Sequence, residues 1–363
     1  MFQATYEGVP AAQSGLYGTK VTAEGKVVAV TADEALERDG YRPGLPALRS
    51  MQKQWNWMDF MDLQKALTFT VKRQEQATCA KVTLDTAAAF DFQAAAAELA
   101  WTVPRMAWMF GRHTSDGGVK VAALYEPPQN LTEGPWQLAE DPAADAVSLV
   151  AGLLGLSKVG MMYCHGPRAD EGYVVSGTEL LEMATAQAGA SEEEERWATV
   201  RVSPNAEGHT EMDAYQVSTL CLDMMKAEAL GPSPDDKPGE CSTNPKYDVM
   251  VEAKAVPSVP TDFFLTLVPI AQYKSGLSAA FPKASRRHTA VTKDDFAAYL
   301  REAKGKSMVL VQALADFNLL VWMANDPFLQ SCVPAVTQAI LSGQADLEEG
   351  HKLMISGYTG VEY

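Results

Sequence analysis

The sequence predicts a mixed α+β or α/β protein: a mixed β-sheet with flanking helices, followed by an α+β C-terminal domain. Three observations predict it. Strand-period and helix-period segments alternate along the first two thirds of the chain. Two runs, Val121 to Tyr125 and Val159 to Tyr163, are apolar throughout, as strands buried on both faces are. The run Gly231-Pro232-Ser233-Pro234-Asp235-Asp236-Lys237-Pro238-Gly239 fits no helix or strand interior, so a domain boundary is expected there. The expected division is 1–60 as N-terminal extension and linker, 61–231 as the first domain and 232–363 as the second.

The elements follow in order. Lys26 to Val30 reads as a short strand in a Gly- and Pro-rich start, and Tyr41 to Pro46 as an extended linker. Gln54 to Met61 is crowded with large apolar groups, which suits packing on a neighbouring domain or a docking motif. Leu67 to Lys72 alternates as a strand, and Cys79 to Asp85 is another. Asp85 is placed to cap a helix from Thr86 to Trp101. Arg105 to Phe110 is a strand ending at Gly111, and Lys120 to Tyr125 a strand stopped by Pro127-Pro128. Asp141-Pro142 opens a helix with Pro at its first position, running to Gly155. Lys158 to Tyr163 is a buried strand, Thr178 to Ala188 a helix, Ala198 to Val202 and Glu211 to Gln216 strands, and Ser218 to Leu230 a helix. Ser191-Glu192-Glu193-Glu194-Glu195 reads as a solvated charge run. Beyond the break, Asp262 to Val268 is a strand, Lys293 to Ala303 a helix opened by Thr292, and Ser307 to Asn325 and Val333 to Leu341 have helix period. No internal repeat is evident.

The chain has 363 residues, of which 47% are hydrophobic and 21% charged, with a net charge of -16. That length supports two or three domains. The negative balance argues against nucleic acid, whose phosphates need clustered Lys and Arg, and against an anionic membrane surface. Basic patches on partner proteins fit better, although an acidic surface more often serves solubility alone. The five cysteines are odd in number, widely spaced and without a Cys-x-x-Cys pair, which disfavours a disulfide framework or a zinc ribbon and points to a reducing compartment. Met1 to Glu7 lacks the features of a secretory signal, and no apolar run has the length of a membrane span.

Catalytic motifs are sparse. Cys164 and His165 are strand neighbours that point to opposite faces, so they cannot pair directly as a thiolate and imidazolium. Gly-x-Ser-x-Gly, Gly-x-Gly-x-x-Gly and His-Glu-x-x-His are absent. Gly305-Lys306-Ser307 mimics the tail of a P-loop, but Leu300 stands where its first glycine belongs.

The runs Val121 to Gln129 and Val159 to Gly166 resemble buried strands of an MPN domain, the fold of the JAMM zinc deubiquitinases. The resemblance places the two histidine ligands at Tyr163 and His165 and, after ten intervening residues, the aspartate ligand at Ser176. It places the general-base glutamate seven residues before Gly111, at Pro104. A phenol and a hydroxyl do not replace an imidazole and a carboxylate on zinc, and proline carries no base. The expectation is therefore a pseudoenzyme with no catalytic residues, no metal and no cofactor.

Over about residues 60 to 360 the chain resembles the nuclear protein localisation protein 4 family, plant-type and without a zinc finger. The resemblance is carried by Lys72-Arg73-Gln74-Glu75 with Cys79, Trp108-Met109-Phe110-Gly111, Leu124 to Gln129, and Lys158-Val159-Gly160. It continues through Tyr215-Gln216-Val217-Ser218, Asp262-Phe263-Phe264-Leu265, Phe281-Pro282 and Ala315 to Leu320. It implies an inactive MPN domain and a C-terminal domain that together bind ubiquitin chains. The implied partners are the AAA+ segregase known as valosin-containing protein and the ubiquitin-fusion-degradation cofactor. The implied setting is unfolding and proteasomal delivery, including degradation at the endoplasmic reticulum, in cytoplasm and nucleus. The sequence around Cys79 lacks the zinc-finger ligands of animal and fungal members, and the first fifty residues are short for a ubiquitin-like domain, so whether segregase docking survives stays open at this point. Two other readings stay open: an old adaptor fold recruited as a structural subunit of a large assembly, and a zinc isopeptidase with relocated ligands. The strands Glu211 to Gln216 and Asp262 to Val268 are expected to border the binding groove, with Tyr215, Gln216, Phe263 and Phe264 as contacts or, alternatively, as core.

Overall fold

The computed structural model describes Met61, residues 64–130, 136–168, 172–190, 196–205, 207–287 and 289–363, and the strands β1 (Thr19–Val21) and β2 (Val27–Ala29), which pair antiparallel. The linker at 41–46, the apolar cluster from 54 to 60 and the glutamate run at 191–195 lie outside the described residues. Strands β3 (Thr68–Val71) and β4 (Val82–Asp85) precede helix α1 (Thr86–Glu98). Asp85 caps α1 as its position requires, accepting from the Ala88 N–H at 2.9 Å. Then come β5 (Arg105–His113), β6 (Val119–Tyr125), β7 (Gln129–Asn130), β8 (Gln137–Leu138), α2 (Ala144–Leu153) and β9 (Ser157–Cys164). After these run α3 (Gly177–Ala188), β10 (Ala198–Pro204), β11 (Thr210–Val217) and α4 (Thr219–Lys226). Short strands follow: β12 (Leu230–Gly231), β13 (Glu240–Thr243), β14 (Asp248–Val251), β15 (Lys254–Ala255) and β16 (Ser258–Pro260). Strands β17 (Leu265–Val268) and β18 (Ile270–Tyr273) lead to the helices α5 (Lys293–Gly305), α6 (Leu310–Leu314), α7 (Phe317–Asn325), α8 (Val333–Ser342) and α9 (Glu349–Thr359).

The main sheet has the order β17-β11-β10-β9-β5-β6-β4-β18 and is mixed, as expected. Its two outermost strands are one stretch of chain, Leu265 to Tyr273, interrupted only by Pro269. The first half pairs antiparallel with β11 and the second half parallel with β4, so the sheet curls until its edges meet. Pro269 has no N–H to leave unpaired, and its carbonyl accepts from Val82 N at 2.9 Å. Closure of this kind removes bare strand edges.

The break at 231–239 therefore does not separate two cores. Its flanks β12 and β13 pair with each other, β14 pairs with β3, and β17 and β18 complete the main sheet. The expected strand Asp262 to Val268 is likewise shorter. Thr261–Phe263 is a single 3-10 turn following Pro260, and the strand starts at Leu265. The helix expected from Asp141-Pro142 begins at Ala144, because Asp141 instead accepts from the Ala143 N–H and the Tyr125 hydroxyl. The helix expected to reach Leu230 stops at Lys226, and Glu228 turns to a φ of 55° before β12. The segment Ser307 to Asn325 splits in two, because Asp316 ends one helix and caps the next through Asn318 N and Leu319 N.

One face of the sheet packs on α1 through Phe92, Ala88 and Ala96. The other face is shared: α3, α4 and the short strands cover half, and α2 with the C-terminal helices cover the rest. Among the described residues the regular elements from 293 to 359 are helices, and the one strand expected beyond the break, Asp262 to Val268, belongs to the main sheet. Strand β9 is buried along six of its eight residues, which accounts for its apolar run. Gly160 is required there, since a Cβ would collide with the Ala198 carbonyl and the Met109 side chain. The substitution Gly160→Ala is expected to cost about 1–3 kcal/mol by overpacking, read from denaturant unfolding; an unchanged midpoint would contradict this packing.

Candidate functional site

The residues of the expected vestigial site lie at the C-terminal ends of β9 and β10. Neighbouring strands place Met161, Tyr163 and, just beyond, His165 on the face that also carries Thr199, Arg201 and Ser203 of β10 and Glu211, Asp213 and Tyr215 of β11. A cleft of about 320 Å³ opens there, lined by His165, Arg168, Tyr173, Arg201, Asn205 and Glu211 among others.

Of the three positions where the resemblance places zinc ligands, Tyr163 and Ser176 serve packing and helix capping. Tyr163 is fully buried with its ring centroid 4.6 Å from that of Trp136. Burial pushes its phenol pKa well above the usual value, so it is no phenolate ligand. Ser176 is the N-cap of α3 in a capping box: its hydroxyl accepts from Glu179 N at 3.2 Å, and the Glu179 carboxylate accepts from Ser176 N at 2.8 Å. That carboxylate also pairs with Arg168 at 2.5 Å. His165 donates from Nδ1 to the Gly166 carbonyl at 2.7 Å, while its buried Nε2 has no hydrogen-bond partner among the described residues. Burial, and then Arg168 nearby, lower its pKa, so the ring is neutral at pH 7. Pro104 sits immediately before β5 and offers no proton acceptor in its side chain. Among the described residues no cluster of three His, Cys, Asp or Glu is arranged to hold a metal ion. One imidazole, with a hydroxyl that caps a helix and a buried phenol tilted against Trp136, does not fit zinc.

The four expected groove residues separate into two kinds. Tyr215 is half-buried and sits opposite Leu267, which is 66% exposed. Phe263 is half-buried under the Arg73 guanidinium, 5.0 Å from its ring centroid. Phe264 is fully buried in the core under α3 and α4 and has no surface to offer a partner. The 3-10 turn, rather than a strand, is what turns it inward. Gln216 is also buried; its side-chain carbonyl accepts from Cys79 N at 3.1 Å and from the Thr78 hydroxyl at 3.2 Å, fastening the loop before β4.

The sequence reading missed Leu267 and the Arg201–Asp213 pair, 2.6 Å apart. Complementary charges on alternating residues of the hairpin β10–β11 were the available signal. It also missed a buried charge cluster. Glu126, just after β6, pairs with Arg105 on β5 at 3.4 Å and accepts from Arg286 Nε at 2.9 Å. Asp91 on α1 pairs with Arg286 at 2.8 Å and with Lys283 at 2.7 Å. Next to it, the Gln129 amide bonds both Met106 N and Met106 O, standing in for a strand neighbour of β5.

These features define a class: an α+β protein with a curled mixed sheet, a polar cleft lacking a metal-ligand set among the described residues, and a helical unit fixed to one sheet face. The sequence model of the NPL4 family matches residues 105–358, and the chain belongs to this family. It is similar to NPL4-like protein 2 of Arabidopsis thaliana, 32% identical over 329 residues that cover 88% of this chain and 78% of that protein. NPL4-like protein of Oryza sativa subsp. japonica is 31% identical over 311 residues, covering 83% of this chain and 74% of that protein. The nuclear protein localization protein 4 homolog of Dictyostelium discoideum is 29% identical over 308 residues, covering 84% and 51%. No helix among the described residues is long and apolar enough to cross a membrane.

Two outcomes are expected. Glu126→Ala strands the buried Arg105 and should cost about 3–5 kcal/mol in chemical denaturation, whereas a loss under 1 kcal/mol would contradict the cluster. His165, followed by NMR, should titrate below 6.5. The unfolded chain then binds more protons than the folded one below that pH, so this residue's contribution to stability declines as pH falls through 6.5. A midpoint above 6.5 would show that its surroundings are misread.

Proposed function

We propose that this protein is a non-catalytic, ubiquitin-binding, substrate-recruiting cofactor of an AAA+ segregase, built on an inactive MPN-type sheet. The observation that carries the non-catalytic part is Ser176: the position of the third metal ligand is a helix cap whose hydroxyl is already used. Family membership supports the adaptor part, together with the resemblance of Leu124 to Gln129 and Val159 to Gly166 to MPN strands. On this reading ubiquitin chains meet the rim where Tyr215, Leu267 and Phe263 reach the surface. The segregase and the ubiquitin-fusion-degradation cofactor are the further partners, in cytoplasm and nucleus. Phe264 and Gln216 act from beneath, holding the rim in place.

The test separates binding from folding. Tyr215→Ala should weaken binding of ubiquitin chains about tenfold or more while leaving the melting curve nearly unchanged. Phe264→Ala should lower stability by about 3–5 kcal/mol. Parent-like binding by Tyr215→Ala would move the surface elsewhere, and no retention of ubiquitin by the parent chain would remove the adaptor reading. Metal analysis addresses the pseudoenzyme reading: stoichiometric zinc in the purified chain that disappears in His165→Ala would overturn it.

A further inference from the structure

We propose that a basic groove between the Tyr273–Leu277 segment and the ends of α2 and α8 is a docking site for a linear acidic segment of a partner protein. The chain has 46 acidic and 30 basic residues, so a cleft free of carboxylates is not its default surface. Yet Arg112, Lys120 and Lys274 converge on a groove of about 350 Å³, and none of its lining residues is acidic. Arg112 and Lys120 are cross-strand neighbours on β5 and β6. Arg112 is held by the two carbonyls that follow α2, donating to Leu154 O at 2.6 Å and Gly155 O at 2.8 Å, so it is oriented without being neutralised. Lys120 lies 4.3 Å from the centroid of the Tyr273 ring. Among the described residues neither Lys120 nor Lys274 has a carboxylate within ion-pair distance.

The occupant follows from charge and shape. The floor is apolar, with Leu156, Ile340 and Leu341, the last 55% exposed, so an apolar side chain is needed beside the carboxylates. The groove shares Lys274, Ser275 and Leu277 with a second hollow that reaches Phe90 on α1, which is 72% exposed. Asp85, at that end, is already bonded to Ala88 N and Ser275 N, and its charge is satisfied there. An elongated channel with an exposed apolar side chain towards each end, Leu341 and Phe90, and cations between them suits an extended peptide rather than a lone anion. Nucleic acid is disfavoured because the cations form one short cluster on an otherwise acidic chain.

The experiment selects peptides from a random displayed library on the full chain. Enriched peptides are expected to carry clustered Asp or Glu beside a large apolar residue. They should bind about tenfold or more weakly to Lys120→Glu/Lys274→Glu, and more weakly to Leu341→Ser, with melting curves confirming that both variants are folded. A neutral Lys120→Gln/Lys274→Gln pair gives the same readout if charge reversal perturbs folding. Ubiquitin-chain binding, measured on the same variants, should stay at the parent level, which keeps this site separate from the Tyr215 rim. The proposal is overturned if nothing is enriched over an unrelated bait, if enriched peptides lack acidic residues, or if they bind the variants as they bind the parent. Displacement by inorganic phosphate with the apolar residue dispensable also overturns it, in favour of a small-anion site.

Discussion

Much of the molecule depends on the stretch Leu265 to Tyr273 pairing with two strands that are far apart in sequence. It bonds to β11 through its first half and to β4 through its second. Without it both strands would be bare edges, and the face carrying Tyr163, Arg201 and Tyr215 would end in an unpaired rim. Ser218 N adds a bond to Phe264 O at 2.8 Å, so the start of α4 is fixed to the same stretch. The His165 cleft and the Tyr215–Leu267 rim therefore share one continuous sheet, and a load on either is carried by the same backbone ladder.

The second constraint is the buried charge cluster of Asp91, Arg105, Glu126, Lys283 and Arg286. It joins α1, the main sheet and the segment entering the C-terminal helices. Buried ion pairs repay their desolvation only in good geometry, so the cluster adds little net stability. It does set position, because each charge is costly unless its partners are in place. Stacking of Phe110 on Phe317, 5.0 Å between centroids, adds an apolar contact across the same junction. The helical unit is thereby fixed to the sheet rather than tethered by a linker.

Local signals were legible wherever one residue type has one use. Asp85, Ser218 and Thr292 cap helices as their positions demand, and the apolar run of β9 is a buried strand. Long-range pairing was not legible. Pro269 reads as a terminator, which hid β18 and with it the closure of the sheet. The helix period runs straight through Asp316, so only the side-chain bonds to Asn318 N, Leu319 N and Phe281 N reveal the split there. Phe263-Phe264-Leu265 has strand composition, but the turn after Pro260 decides which ring is buried. At the cleft the residue types Tyr163, His165 and Ser176 were readable, whereas the capping role of Ser176 and the ion pairs of Arg168 and Arg201 depend on folded geometry.

The central proposal is that the sheet face beside the His165 cleft is a protein-binding surface. Hydrogen–deuterium exchange of the full chain, with and without saturating ubiquitin chains, tests it most directly. The account predicts added protection in Glu211 to Val217 and Leu265 to Val268, with the helices from residue 293 to 359 unchanged. Protection confined to those helices, or no change anywhere despite bound ubiquitin, would contradict it.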